Sequence, residues 1–353
     1  MAESAVYEVD PLTDPRWCDF VETHPHASIF HSRGWLQSLS GTYGYKPIVF
    51  TTSPPTSALR NGIVFCDVNS WLTGRRFVSL PFSDHCEPLV DDPKEARMLF
   101  AALDQQIRSK TLRYIESRPL RTTGAPSALF ESRAPYYLHQ LDLRPSIGCL
   151  FSQFHRDSTQ RKIRRAEREG LGYQQGRTTD LLEAFCQLFL MTRQKHRVPP
   201  QPKSWFRNLL HHCGPNLQIR VAFKSDVPVA AIITLQHNHT IVYKYGGSDA
   251  RFHSLGGMHL LFWRTIQEAK AAGLELYDLG RTACENAGLA TFKARWGARQ
   301  FTIHYSRFTR TPSSPCAFRQ NPARALRFAQ YALGCVPRAL WYPLGTLLYK
   351  HIG

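Results

Sequence analysis

Several chemistries are set aside by what the chain does not contain. Its nine cysteines (Cys18, Cys66, Cys86, Cys149, Cys186, Cys213, Cys284, Cys316 and Cys335) form no CxxC pair, so neither a disulfide framework nor a zinc site is indicated. Fifteen histidines occur without HExxH or any comparable ligand spacing, and no metal is expected. There is no GxSxG elbow to present a nucleophilic serine. The start, MAESAVYEVDPLTDP, has acids and an early proline where a secretory signal needs a basic start and an apolar run. Scattered thiols and this start together point to a reducing compartment, the cytoplasm.

A long uninterrupted apolar run is also missing. The window from Tyr331 to Tyr349 has the length of a membrane span but contains Pro337, Arg338 and Pro343. An arginine near the centre of a span costs roughly 2.5–3.5 kcal/mol, and proline interrupts a helix. The segment is expected to lie on a membrane rather than cross it, at the inner face.

Acidic residues run out before the chain does. Lys and Arg (44) exceed Asp and Glu (27) by 17, and none of the acids follows Glu285. Lys293, Arg295, Arg299, Arg307, Arg310, Arg319, Arg324, Arg327, Arg338 and Lys350 do follow it. A field of that sign attracts polyanions: nucleic acid, phosphorylated carriers or anionic lipid. The 353 residues, 43% of them hydrophobic, suit two domains of ordinary size.

Periodicity and punctuation predict helices over 32–42, 93–110, 180–193, around 205–211 and over 257–272. They predict strands over 47–52, 63–68, 76–80, 112–116, 218–223, 229–236, 239–245 and 275–279. The strand–helix–strand unit from Phe77 through Asp84 to Tyr114 lays over that from Ile241 through Asp249 to Tyr277. The offsets are 165 for the aspartates and 163 for the tyrosines, which suggests duplication. Between the halves, Ser158 to Gly170 reads as a basic helix capped by Asp157 or Ser158 and ended by Gly170. It is either a solvated linker or an anion-binding surface.

The run Tyr277-Asp278-Leu279-Gly280-Arg281-Thr282, followed by Phe292-Lys293-Ala294-Arg295-Trp296-Gly297, resembles the C-terminal signature of FemAB-like proteins. Trp35 with Tyr43-Gly44 and Pro47, the segment Ser79 to Asp84, the basic helix and Tyr243-Lys244-Tyr245-Gly246 agree with it. Together they are most similar to the branch associated with exosortase and exopolysaccharide clusters. The resemblance implies an α/β (α+β) fold of two tandem GNAT-like domains, each a mixed sheet flanked by helices. The expected segments are 1–150 and 151–310, with a basic aromatic tail, 311–353. It implies transfer of an acyl or aminoacyl group to an amine of a cell-envelope, peptidoglycan or exopolysaccharide precursor. The donor is acyl-CoA or aminoacyl-tRNA, with no tightly bound cofactor. A non-catalytic RNA-binding or polysaccharide-assembly scaffold with a degenerate GNAT fold is the alternative.

Such a transfer needs a neutral amine, somewhere for its proton, and stabilisation of the oxyanion. Lys293, among aromatics, is the leading electrostatic candidate, and the resemblance implies its place near the reacting carbonyl; the bland reading is a surface lysine lying on Trp296. Asp278 can take the amine's proton and Arg281 can bind phosphate or carboxylate; alternatively the two pair with each other. Tyr243 and Tyr245 share one strand face, with Lys244 on the other. With Ser248, Asp249, Phe292 and Trp296 they make up the expected substrate contacts, to which the resemblance adds Asp84 and Trp35. Arg251, Gly256 and Gly257 stand where a GNAT pyrophosphate loop is expected, but the glycines are adjacent rather than alternating, so the donor stays open.

Overall fold

The computed structural model describes residues 5–109, 112–121, 131–309 and 336–352. Arg319, Arg324, Arg327, Phe328 and Tyr331, part of the expected basic aromatic tail, and Arg310 just before it lie outside them. The described residues divide into two compact units: residues up to 135 with 303–309 and 346–352, and residues 136–302 with 336–345. The boundaries differ from 1–150, 151–310 and 311–353, because the first unit takes 303–309 and 346–352 from the far end of the sequence and the second begins at residue 136.

The first unit contains β1 (Tyr7–Val9), α1 (Pro15–Thr23), α2 (Arg33–Tyr43), β2 (Lys46–Thr51), β3 (Ile63–Val68), β4 (Arg76–Val78), α3 (Pro93–Ser109) and β5 (Tyr114–Ser117). Ser32 caps α2 through its hydroxyl, and Gly44, at φ 72°, ends it, the backbone state glycine adopts without strain. Strands β1 to β4 are antiparallel neighbours. Strand β4 then runs parallel to β5, which requires the crossover that α3 supplies. Phe50, Phe65, Phe77, Leu99, Leu103 and Ile115 fill the core.

The second unit contains β6 (Glu131–Asp142), α4 (Ile147–Gln153), α5 (Arg161–Arg168), β7 (Gly172–Gly176), α6 (Thr179–Lys195), α7 (Lys203–His212), β8 (Leu217–Lys224), β9 (Val227–His237), β10 (Thr240–Ser248), α8 (Gly257–Ala271), β11 (Leu276–Ala283) and α9 (Ala287–Ala294). Here β7 to β10 are antiparallel neighbours, and β10 runs parallel to β11 across the α8 crossover. The antiparallel run followed by one parallel crossover thus occurs in both units, as the sequence offset predicts. Each series ends on a strand from elsewhere: β6 pairs with β11, and β12 (Arg299–Thr309) pairs with β5 through Ser306 to Thr309. The basic helix is shorter than expected, because a π turn over Arg156–Gln160 precedes α5 and His155, not Asp157 or Ser158, caps it.

The last helix, α10 (Trp341–Ile352), corrects the reading of the tail aromatics. Trp341 is buried, the Tyr342 hydroxyl donates to the Cys186 carbonyl at 2.9 Å, and the Tyr349 ring packs 5.6 Å from Phe82. These rings are spent on packing rather than held out at headgroup depth. Among the described residues no helix is long and apolar enough to cross a membrane.

Candidate active site

Two irregularities at the same level of neighbouring strands create the site. The parallel ladder between β10 and β11 joins Thr240 to Leu276, Ile241 to Tyr277 and Val242 to Asp278. Just beyond it, β10 has a bulge between Tyr243 and Tyr245. On β11 the register shifts between Asp278 and Arg281, where Gly280 takes φ 74°. A bulge re-aims side chains, and here it separates the two tyrosines expected on one face. Tyr243 packs 4.8 Å from Phe262 of α8, whereas Tyr245 packs 5.2 Å from Phe206 of α7. The Tyr245 hydroxyl accepts from Trp205 Nε1 at 2.9 Å and Gln201 Nε2 at 3.1 Å. Lys244 Nζ lies 5.6 Å from the Tyr245 ring centroid. Gly247 is required for a different reason, since a β-carbon there would overlap the α6 backbone at Leu188 and Phe189.

On the β11 side three predicted residues meet around one glycine. Asp278 accepts from Gly280 N at 2.7 Å, and Lys293 Nζ donates to Gly280 O at 2.7 Å and Arg281 O at 3.1 Å. Asp278 is 1% exposed and Lys293 2%, so the surface-lysine reading is excluded. Asn286 caps α9, whose last turn carries Lys293 to this point. The Arg281 guanidinium lies 4.5 Å from the Tyr136 ring centroid. Two residues from β6 complete the group. Gln140 Nε2 donates to Asp278 at 3.4 Å, and His139 is fully buried. Burial and then Lys293 hold the His139 pKa below its ordinary value, against smaller opposing effects of Gln300 and Asp278.

A cavity of about 220 Å³ opens at the first turn of α8, lined by Ser248, Gly256, Gly257, Phe292, Lys162, His253 and His259 among others. The first N–H groups of a helix lack intrahelical partners and favour an anion. Gly256 sits at φ 83°, and a β-carbon there would come within 2.4 Å of the Lys162 carbonyl. That close approach brings α5 to the cavity. Ser248 Oγ bonds His253 Nε2 at 2.9 Å. His259 stacks 5.8 Å from Trp296 and stands edge-on to Phe292, and burial with Lys162 nearby pushes its pKa down to about 3. The imidazole is neutral.

Other predicted residues do other work. Arg251 and Asp249 form an ion pair at 2.6 Å that closes the turn before α8, and Arg251 is not among the cavity lining. Trp296 is buried against Phe154 and Phe262 as core. Trp35, expected to touch substrate, is fully buried 5.0 Å from Phe30 in the first unit's core. The Asp84 carbonyl, in the same unit, accepts from the Tyr305 hydroxyl at 2.7 Å. Sequence reading missed His139, Gln140, Lys162 and His259. Only Lys162, inside the basic helix, carried a signal. Among the described residues no group of three or more His, Cys, Asp or Glu is placed to hold a metal.

The acetyltransferase (GNAT) domain family matches residues 153–294, the segment that contains the cavity and Asp278, Gly280, Arg281 and Lys293. A comparison with curated proteins by sequence gives no match. Among solved structures, FemX superposes with a TM-score of 0.66 at 12% identity, covering 86% of this chain and 97% of its own. A tandem GNAT protein from the clavulanic acid biosynthesis pathway gives 0.51 at 14% identity, covering 88% and 100%. The C-terminal domain of a putative lysylphosphatidylglycerol synthetase from Agrobacterium fabrum gives 0.51 at 14%, covering 76% and 84%. At these identities the structures speak for the fold, and the matched domain speaks for the chemistry. Residues 153–294 thus form an acyltransferase domain of the GNAT type, and the chain shares its fold with FemX and with a tandem GNAT protein.

Proposed function

We propose that the protein transfers an acyl or aminoacyl group from a phosphate-bearing donor to an amine of a cell-envelope precursor, of peptidoglycan or exopolysaccharide type, at the inner face of the membrane. The observation that carries this reading is the coincidence of the β10 bulge, the β11 register shift and the cavity at the start of α8. The end of the β10–β11 ladder gives an acyl chain a strand edge to lie along, while Lys162 and the first turn of α8 suit the donor's phosphate. The C-terminal domain of a putative lysylphosphatidylglycerol synthetase shares this fold, and that name agrees with an envelope acceptor.

In this reading the neutral amine attacks the donor's carbonyl carbon, a C–N bond forms, and the C–S bond of a thioester or the C–O bond of an ester breaks. Asp278 takes the proton the amine loses, directly or through water, and the leaving thiolate or alkoxide is protonated in turn. Lys293 fixes the Gly280–Arg281 backbone and places positive charge where water is excluded, which favours the developing oxyanion. Arg281, held over Tyr136, orients an anionic group of the acceptor. No covalent enzyme intermediate is needed.

The experiment offers the purified chain acetyl-CoA, longer acyl-CoAs and aminoacyl-tRNA in parallel, with amine-bearing envelope precursors as acceptors and mass spectrometry as readout. Consumption of one donor with a matching mass increase in the acceptor is expected. A chain that consumes none of them, while Asp278→Asn behaves identically to the parent, refutes the reading.

A further inference from the structure

The turn between β3 and β4 presents Trp71 at 84% exposure and Leu72 at 56%. Large apolar side chains held together at a turn tip call for a partner, and this tip is held firmly. Ser70 Oγ accepts from Leu72 N at 3.2 Å and Thr73 N at 3.0 Å. It also bonds His351 Nδ1 of α10 at 2.9 Å. Thr73 Oγ1 and the buried Arg76 both donate to the His351 carbonyl at 2.9 Å. The Trp71 ring stands edge-on 5.5 Å from the His351 ring. The turn and the end of α10 therefore form one platform within the first unit.

The chain on either side of His351 extends that platform. Ile352 is 60% exposed, Leu347, one turn before His351, is 61% exposed, and Lys350 is exposed next to His351. Arg113, also exposed, donates to Thr73 O at 3.2 Å. The nearby carboxylate of Asp67 is paired with Arg75 at 2.6 Å, and no acidic residue follows Glu285. The exposed set is thus one tryptophan, three aliphatic side chains and cations.

We propose that this platform docks the protein on an anionic lipid bilayer. Tryptophan settles at headgroup depth, aliphatic tips enter the acyl boundary, and lysine and arginine meet anionic headgroups. RNA would use the ring and the cations but has nothing to offer Leu72, Leu347 and Ile352. The inference concerns a surface remote in sequence from the GNAT domain and does not depend on which donor that domain uses.

The test is co-sedimentation of the full chain with phosphatidylcholine vesicles and with vesicles that also contain phosphatidylglycerol, at low and high salt, with tRNA binding measured alongside. The parent is expected to partition onto the anionic vesicles and to be weakened by salt. Trp71→Ala with Leu72→Ala is expected to lower the partition coefficient roughly tenfold or more, and Lys350→Glu by roughly fivefold or more. Circular dichroism should be unchanged, because the substituted side chains are exposed. A parent that ignores anionic vesicles, a double variant that binds them as the parent does, or binding to tRNA alone would each overturn the proposal. None of these readings requires acyl transfer, so they fail or succeed independently of the proposed reaction.

Discussion

Replacing His259 by glutamine is expected to flatten the acid limb of the protein's stability profile. The imidazole is wedged between Trp296 and Phe292 at the first turn of α8, and burial, then the charge of Lys162, pushes its pKa from 6.5 to about 3. Between those values the unfolded chain binds a proton that the folded chain refuses. The unfolding free energy therefore falls with falling pH by about 1.4 kcal/mol per unit. The contribution is whole above the unfolded pKa and shrinks by ~2 kcal/mol on going to about pH 5. His24, His139, His212 and His253 are lowered as well, each chiefly by burial, so the parent as a whole loses more than this.

Urea unfolding of parent and His259→Gln at about pH 7.5 and about pH 5 isolates the one residue by difference. The variant starts lower because the stacked ring is gone, but it should lose ~2 kcal/mol less on acidification. An acid loss equal to the parent's would mean that the ring is solvated and titrates normally. The cavity at the start of α8 would then not be the enclosed, dehydrated space that its use as a donor site supposes.

The Gly280 cluster separates two kinds of effect. Lys293→Met strips two buried carbonyls of their donor, so unfolding should be easier by about 3 kcal/mol and acyl transfer slower by roughly 100-fold. Asp278→Asn keeps shape and an acceptor for Gly280 N, so a thermal melt should move little while turnover falls at least ~100-fold. Gly256→Ala places a β-carbon 2.4 Å from the Lys162 carbonyl at φ 83°. Backbone strain alone should cost about 1–3 kcal/mol, and the KM for the donor should rise more than kcat falls. In the first unit Glu116, bonded to Arg118 at 2.8 Å and Arg307 at 2.7 Å, has its pKa drawn down to about 2. It stabilises the fold above pH 4.5, and that contribution is lost as pH falls through about 2; Glu116→Gln should cost about 3–5 kcal/mol at neutral pH.

Local punctuation made much of the fold legible. Ser32 and Gly44 bracket α2 to within a residue, and the unbroken apolar run Ile63-Val64-Phe65-Cys66 marks β3 at its observed limits. Strands β6 and β12 were not legible, because both are interrupted by charged and polar side chains and owe their existence to partners far away in sequence. The faces of Tyr243 and Tyr245 were misread for a related reason. Strict alternation assumes a regular strand, and nothing in Tyr243-Lys244-Tyr245 announces the bulge. At the site, Asp278, Arg281 and Lys293 were visible because a motif names them. His139 and His259 were not, because a buried histidine acquires its character only from what folds around it.

The two strand irregularities have unequal consequences for a ligand. Where the β10–β11 ladder stops, the backbone groups of both edges lose each other as partners and must be satisfied in some other way. On β11 the protein does this itself, since Gly280 N is bonded to Asp278 and the Gly280 and Arg281 carbonyls to Lys293. Those groups are closed to a peptide-like ligand and held rigid. Under the proposed reading the donor's amide groups must therefore run along β10, with the phosphate towards Lys162 and the carbonyl towards Gly280. A crystal soaked with a non-reactive donor analogue that instead bonded Gly280 N and displaced Asp278 would reverse this assignment, and with it the role of Asp278 as the acceptor of the amine's proton.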